Sequence, residues 1–380
     1  MSTPTPAPPT SPPLPTTQKA VLYHSPHKIR LTHTHLLPTL HPTYLLIHTH
    51  SIALNPADHK HLNPTSHPGS LIGFDYSGTV FAVGSEVTKD WKRGDRICGF
   101  THGNDRLEKG NGAFAEWIVV KGDVGIRVPG AWGWEEACTV GVGCGVVGLG
   151  LRDLGLPLPV EGEGDGGGEG EEDGGEKRFV LVYGGSTASG ALGIQFVKLC
   201  GYVPITTCSP KNFDYVRSLG AAAVFDYNDP ECGAQIREYT QNTLRLVLDT
   251  VSLPSSAKIA AEALSSNGSL DLKYCSLLPL FDIPRKDVKV SFVNGITCLG
   301  EYFEYPLEEG PWPVEAVPED FEFAKVWSGI AERAFAAGKV VPHRMRVCEG
   351  GLSGVADGLK MLEEGRVSGE KLVYRVGDTP

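Results

Sequence analysis

The sequence predicts an α/β protein of two units: a doubly wound parallel sheet and, ahead of it, a β-rich unit. Three observations carry this prediction. Residues 179–202, FVLVYGGSTASGALGIQFVKLCGY, run from an apolar strand through a glycine-rich turn into a helix, the corner that opens a nucleotide-binding sheet. Beyond it, apolar runs at 203–208, 222–227, 244–250 and 270–277 recur, with a helical stretch at 256–264, an alternation expected of parallel strands joined by crossovers. Before it, residues 18–130 hold short alternating runs with frequent glycine: KAVLYH, YLLIHTHSIALNP, GSLIGFDYSGTVFAVG, GDRICGFTHG and GAFAEWIVV. Such runs make a compact, partly barrel-like β unit. The 380 residues, 41% of them hydrophobic, suffice for two cores.

Residues 1–17 are mostly Pro, Thr and Ser and are expected to be disordered. After the β runs, residues 133–154 form a glycine-rich but apolar helix candidate. Residues 160–177 are Gly and acid with nothing to bury, a second disordered segment expected to leave the surface just before the strand at 179. At the far end, 321–338 and 352–364 read as helices and 371–376 as a closing strand.

The glycine-rich turn gives the first functional reading. Gly184, Gly185 and Gly190 let the backbone turn and approach a phosphate at a helix N-terminus. Ser186, Thr187 and Ser189 replace some of the glycine of the common GxGxxG pattern with hydroxyls that can bond phosphate oxygens directly. The next strand ends at Ser209-Pro210-Lys211-Asn212 without an acid. A carboxylate there would accept from the ribose 2′-hydroxyl and repel a 2′-phosphate. Ser209, Lys211 and Asn212 offer donors and a positive charge instead, so NADPH is expected over NADH. Asp214 is read as serving the first turn of the following helix. Tyr227, at the end of the run 222–227, can reach the same pocket. A solvated surface lysine and a plain strand-end tyrosine are the competing readings of Lys211 and Tyr227.

Composition narrows the rest. Eight acids and one lysine crowd into residues 161–177 and account for most of the formal charge of −11, so no nucleic-acid partner is implied. No apolar run of about 18 residues and no basic start followed by an apolar stretch is visible, so neither a membrane span nor a secretory signal is expected, and the protein is placed in the cytoplasm. Nine scattered cysteines form no CxxC pair, which points to reduced thiols; Cys200 and Cys208 read as small buried apolar residues. Among twelve histidines, His33/His35 and His48/His50 share one side of an extended strand. No Cys or Glu completes a tetrahedral set nearby, so zinc is not expected.

Asn55-Pro56-Ala57-Asp58 followed by Lys60, Gly73-Phe74-Asp75-Tyr76-Ser77-Gly78 leading to Val83-Gly84, KRGDRICGF at 92–100 and GAFAE at 112–116 resemble the medium-chain dehydrogenase/reductase superfamily. The match runs over nearly all of the chain outside the two low-complexity segments. Within it, YGGSTAS at 183–189, TCSPKNFD at 207–214 and VFDY at 224–227 are similar to the trans-acting enoyl reductases of fungal polyketide pathways. The resemblance implies a GroES-like β-rich catalytic domain from residues 18–140 with 320–380 and a Rossmann domain from 141–319. It places NADPH in the cleft, with contacts from Asn55, Pro56, Ala57 and Asp58, from Gly184 through Ala188 to Ser189, and from Ser209 to Asn212. The segment VSGEK at 367–371 resembles the one that returns to the cofactor and adds Val367 and Ser368.

The same resemblance bears on metal. Zinc-dependent alcohol dehydrogenases have a cysteine ligand early in this domain and a His-Glu pair after the following glycine. Here Asp58 and Phe74-Asp75 occupy the matching regions, and the structural-zinc cysteines are missing between Phe100 and Gly112. Without a Lewis acid to polarise an alcohol or ketone, the branch that reduces carbon–carbon double bonds is implied. Its substrate is an enoyl thioester on an acyl carrier domain of a polyketide synthase or a synthase–synthetase hybrid. Hydride adds to the β-carbon, charge appears on the carbonyl oxygen and a proton reaches the α-carbon.

Several reductases of the superfamily use a tyrosine shortly after the Asn-Pro motif as proton donor, where this chain has His59, Lys60, His61 and Asn63. Lys60 is the candidate for holding the nicotinamide ribose or relaying a proton, against a surface lysine with delivery by water; His59 and His61 rank below it. Residues 138–146 match a turn that family members set beside nicotinamide and substrate, which gives Thr139, Gly143, Cys144, Gly145 and Val146 as pocket candidates. Core packing is the other reading of Cys144. NGITCLGEYF at 294–303 resembles the wall of the acyl pocket and contributes Thr297, Gly300 and Phe303. A monomer is expected over a dimer. A stand-alone quinone or enone oxidoreductase and a non-catalytic NADPH-binding protein stay open as alternatives.

Overall fold

The computed structural model describes residues 14–159, 177–279, 283–307 and 309–380. The disorder expected at 1–17 and 160–177 falls almost wholly outside the described residues; Thr17, however, already opens the first strand.

The first unit is β-rich: β1 (Thr17–Ser25), β2 (Lys28–Leu36), β3 (Tyr44–Ala53), α1 (Pro56–Lys60), β4 (Asp75–Val83), β5 (Arg96–Phe100), β6 (Trp117–Lys121) and β7 (Ile126–Arg127). Leu45, Ile47, Ile52, Tyr76, Val80 and Phe114 meet in its core, each buried side chain of this size contributing roughly 1.5–3 kcal/mol. Strand β2 is not among the runs expected from sequence. It buries none of its residues fully, so it carries little apolar signal and is set by antiparallel pairing with β1. His48 and His50 do share one side of β3, 5.1 Å apart, and pack on Trp117 and Trp134.

The single helix expected over 133–154 is two, α2 (Trp134–Ala137) and α3 (Gly141–Leu154). The break lets α3 start against Asp75, whose carboxylate accepts the Val142 N–H at 2.7 Å, an acid at a helix N-terminus. By length and hydropathy the stretch Trp134–Leu154 could cross a membrane, contrary to the expectation that no such run exists, but 78% of its apolar 18-residue window is buried inside the protein. Its glycines permit this burial: Gly148 meets the Trp327 indole and Gly150 meets Leu248.

The second unit is a six-stranded parallel sheet. Its elements are β8 (Phe179–Tyr183), α4 (Ala188–Leu199), β9 (Val203–Thr207), α5 (Phe213–Ser218), β10 (Ala223–Phe225), α6 (Cys232–Tyr239), β11 (Leu246–Asp249), α7 (Pro254–Ala263), β12 (Leu272–Ser276) and β13 (Val288–Phe292). The order β10-β9-β8-β11-β12-β13 reverses its progression between β8 and β11. A ligand crevice therefore opens at the C-terminal ends of those two strands.

A hairpin of β14 (Phe303–Leu307) and β15 (Gly310–Val314) precedes the long helix α8 (Pro318–Ala336). Trp327 and Phe335 of α8 pack on Phe196 of α4. The boundary expected between residues 319 and 320 thus cuts a helix whose apolar face sits on the parallel-sheet unit. The chain then returns through β16 (Met345–Cys348), α9 (Val355–Glu363) and β17 (Lys371–Arg375). β17 pairs antiparallel with β3 and completes a seven-stranded sheet of order β16-β17-β3-β4-β5-β7, with β6 on β3.

Candidate active site

The turn after β8 is shaped by what its glycines cannot carry. Gly184 has φ +82°, and a side chain there would run into Val251 and Thr250; one on Gly185 would meet Thr206, and one on Gly190 the Gly184 carbonyl. Thr187 caps α4, its hydroxyl accepting the Gly190 N–H at 2.9 Å and lying 2.9 Å from the Thr250 hydroxyl. That hydroxyl therefore serves the turn. Half-buried Ser186 and the N–H groups of Ala188 and Ser189 at the helix start are left to face an anion. These residues fit a dinucleotide pyrophosphate. Thr250 and Val251, which close the turn from the end of β11, carry no motif and were not singled out from sequence.

At the end of β9, Ser209 leads into a short 3-10 turn, Pro210–Asn212. Pro210 and Lys211 are exposed, whereas Asn212 is buried. The Asn212 amide donates to the Ser368 hydroxyl at 3.4 Å, and its side chain fills the space over Gly369. The structure thus brings Ser368 to the Ser209–Asn212 corner, with Asn212 as the clamp between them. Val367 instead packs against the β-rich core. Asp214 lies in the first turn of α5, 3.5 Å from Arg217, and Tyr227 is exposed beyond β10.

A buried polar cluster lies beneath α1. Asp75, with no exposed surface, accepts from the Lys371 ammonium, from the Asn55 amide at 3.0 Å and from the Val142 N–H. Lys371 also donates to the Thr139 carbonyl at 3.5 Å. Asn55 caps α1, and its backbone N–H donates to the Asp58 carboxylate at 2.6 Å. Burial first, and then neighbouring Asp75, pushes the Asp58 carboxyl up to about 8. Asp58 therefore closes the first turn of α1 from inside, while Pro56 is exposed and Ala57 faces the cleft. The role of Lys371 has no local signature, since it is 296 residues from its partner.

A cavity opens between the two units. Ala57, Phe74, Val142 and Val146 on one side face Leu277 and Trp312 on the other. Of the expected substrate residues only Val146 lines it. Gly143 packs on Leu192 and Ser189 of α4, and Gly145 on Phe100 and Cys298. Cys144 is core: its carbonyl accepts the Trp327 indole N–H at 2.9 Å, and burial pushes its thiol up to about 12. The Thr139 hydroxyl donates to the Glu136 carbonyl at 2.8 Å. A 3-10 turn at Gly295–Leu299 presents residues 294–296 to the cavity and rotates the rest away. Hence Thr297 bonds Asn294 and Asp320, Gly300 turns against Phe321, and Phe303 packs on His102. Lys60 ends α1 exposed and off the lining, its pKa lowered by partial burial. The next residue, His61, does line the cavity.

Residues 41–130 match the alcohol dehydrogenase GroES-like domain family. The chain is similar to the trans-enoyl reductase resD of Aspergillus sclerotiorum, 41% identical over 94% of this chain and 100% of that one. It is also similar to the trans-enoyl reductase TOXD of Cochliobolus carbonum, 43% identical over 76% of this chain and 92% of that one. Among solved structures, the quinone oxidoreductase from Coxiella burnetii superposes with a TM-score of 0.66 at 18% identity, covering 95% of this chain and 99% of that one. The last likeness is one of fold. The identities to the curated proteins, held across a β-rich unit, a parallel dinucleotide sheet and the cleft between them, show that this chain belongs to the trans-enoyl reductase family.

Proposed function

We propose that the chain is an NADPH-dependent enoyl reductase working in trans on an α,β-unsaturated acyl thioester presented by the acyl carrier domain of a polyketide synthase. The observation that carries this reading is the apolar cavity beside the dinucleotide crevice. Its walls of Phe74, Val142, Val146 and Leu277 are mostly apolar and suit an acyl chain, with few polar groups among them. The names of the relatives support the same reading.

When bound, the reduced nicotinamide supplies the hydride that the β-carbon takes up. Gly184, Gly185 and the N-terminus of α4 hold the pyrophosphate, and Ala57 borders the cleft where the reacting ring belongs. Ser209 and Lys211 receive the 2′-phosphate, with buried Asn212 holding the corner and Asp214 turned to Arg217. The mostly apolar walls lower the dielectric around the thioester carbonyl, so each hydrogen bond to it weighs more than it would in bulk solvent, while the open side of the cleft still admits water. With Lys60 off the wall, the α-carbon proton is assigned to water. We infer a zinc-free reaction, because Asp75, in the region of the zinc enzymes' ligands, already carries the Lys371 ammonium. The protein is expected to act as a monomer.

NADPH oxidation measured with crotonyl-pantetheine, a free enone and a quinone tests the reading. Turnover of the thioester is expected. Turnover of the quinone alone would transfer the chain to the stand-alone oxidoreductases, and tight NADPH binding without any turnover would make it a binding protein.

A further inference from the structure

His61 lines the cavity, is 3% exposed, and neither of its ring nitrogens has a hydrogen-bond partner. The ring stands edge-on to Phe74, 5.4 Å between centroids, and to Tyr305, 4.8 Å. It cannot swing to solvent without displacing both aromatics. Its backbone is anchored as well, the carbonyl accepting from Ser66 and from Asn104, each at 2.6 Å. A buried N–H left unpaired costs about 1–3 kcal/mol, and in a native fold such a group calls for an occupant. Burial, with help from His102 and Lys60, holds the His61 pKa down to about 3. The ring is therefore neutral near pH 7 and can donate a hydrogen bond but not act as an acid.

We propose that His61 is the donor that binds the thioester carbonyl oxygen of the enoyl substrate and stabilises the charge developing on it, an inference that rests on the enoyl reductase reading above. As hydride arrives at the β-carbon, the C=C electron pair shifts to join the α-carbon to the carbonyl carbon. The carbonyl pair moves onto oxygen. His61 keeps its proton throughout, and water supplies the one the α-carbon receives. A neutral donor suits this role: its bond strengthens as the oxygen becomes anionic, and the cavity holds no charge to desolvate beforehand. His102 provides a control. It too is buried with an unpartnered Nε2, but its Nδ1 lies 3.6 Å from Asp105 and it lines a different, smaller cavity.

The full-length protein is assayed with crotonyl-pantetheine and NADPH as wild type and as His61→Phe, His61→Gln and His102→Phe. His61→Phe is expected to lower kcat/KM about 100-fold. His61→Gln, which restores a donor, should recover most of the loss, and His102→Phe should match wild type. A second readout needs no turnover: in protein carrying 15N-labelled histidine, the His61 ring signal should stay neutral over about pH 5 to 8 and shift when butyryl-pantetheine is added with NADP+. Wild-type kcat/KM in His61→Phe, or a His61 signal that the thioester leaves unmoved, overturns the proposal while wild-type turnover leaves the enoyl reading standing. Absence of thioester turnover by the wild type removes both.

Discussion

The cleft is bordered by two buried polar sites built on opposite terms. Around Asp75 the donors of Lys371, Asn55 and Val142 converge on one carboxylate. Around His61 two aromatic rings close in and neither nitrogen is bonded. A buried charge persists only when partnered, so the first site is saturated by the protein itself and fastens β4, β17 and α3 together. The second leaves a donor for something else. Burial alone does not separate these roles; the count of satisfied partners does.

The sharpest way to break this contrast is Lys371→Met. It strands the Asp75 charge and should cost about 3–5 kcal/mol in urea unfolding, whereas His61→Phe, which removes two unsatisfied atoms, should leave stability unchanged or raise it in the same measurement. Equal losses would erase the distinction. Next in size, Lys211→Glu should raise KM for NADPH about tenfold through loss of a charge-assisted contact and leave KM for NADH nearly unchanged. Parallel increases would show that Lys211 does not read the phosphate. A separate, pH-dependent effect belongs to Asp58, beside the saturated site. Its carboxyl, ordinarily at 3.8, is raised to about 8 in the fold, so the folded state holds the proton more tightly than the unfolded one. That contribution is fully present below pH 3.8 and is lost as pH rises through about 8. Asp58→Asn keeps an acceptor for the Asn55 N–H and should flatten the fall of Tm with pH across that window; curves of equal slope would place the proton elsewhere.

The dinucleotide corner was legible because its determinants lie in one short stretch: an apolar strand, glycines where a Cβ has no room, and a helix behind them. β8 has the bounds its apolar run suggests. The Asp75–Lys371 pair was not legible as a pair, since it joins β4 to β17 across 296 residues and neither end has a local pattern. The cavity was legible only in part. Val146 follows from the segment 138–146, but whether Thr297 or Asn294 faces the cavity depends on a 3-10 turn that composition does not announce. That Lys60 stands off the cavity lining while His61 lies on it has a related cause. One residue along a helix is a rotation of about 100°, and at the end of five-residue α1 that step carries a side chain from the rim into the cleft. Residue type favoured the lysine for proton chemistry; position favoured the histidine.

The long span of the Asp75–Lys371 pair also sets an order of events during synthesis. Translation at typical rates delivers Lys371 roughly 15 to 60 s after Asp75, by which time the whole parallel sheet has been made. Until then Asp75 lacks its counter-charge and β3 lacks the β17 strand that pairs with it, so this part of the first unit cannot close around the acid. The β-rich unit is therefore the one whose sheet can be completed only at the end of synthesis, when β17 and its lysine reach β3 and Asp75.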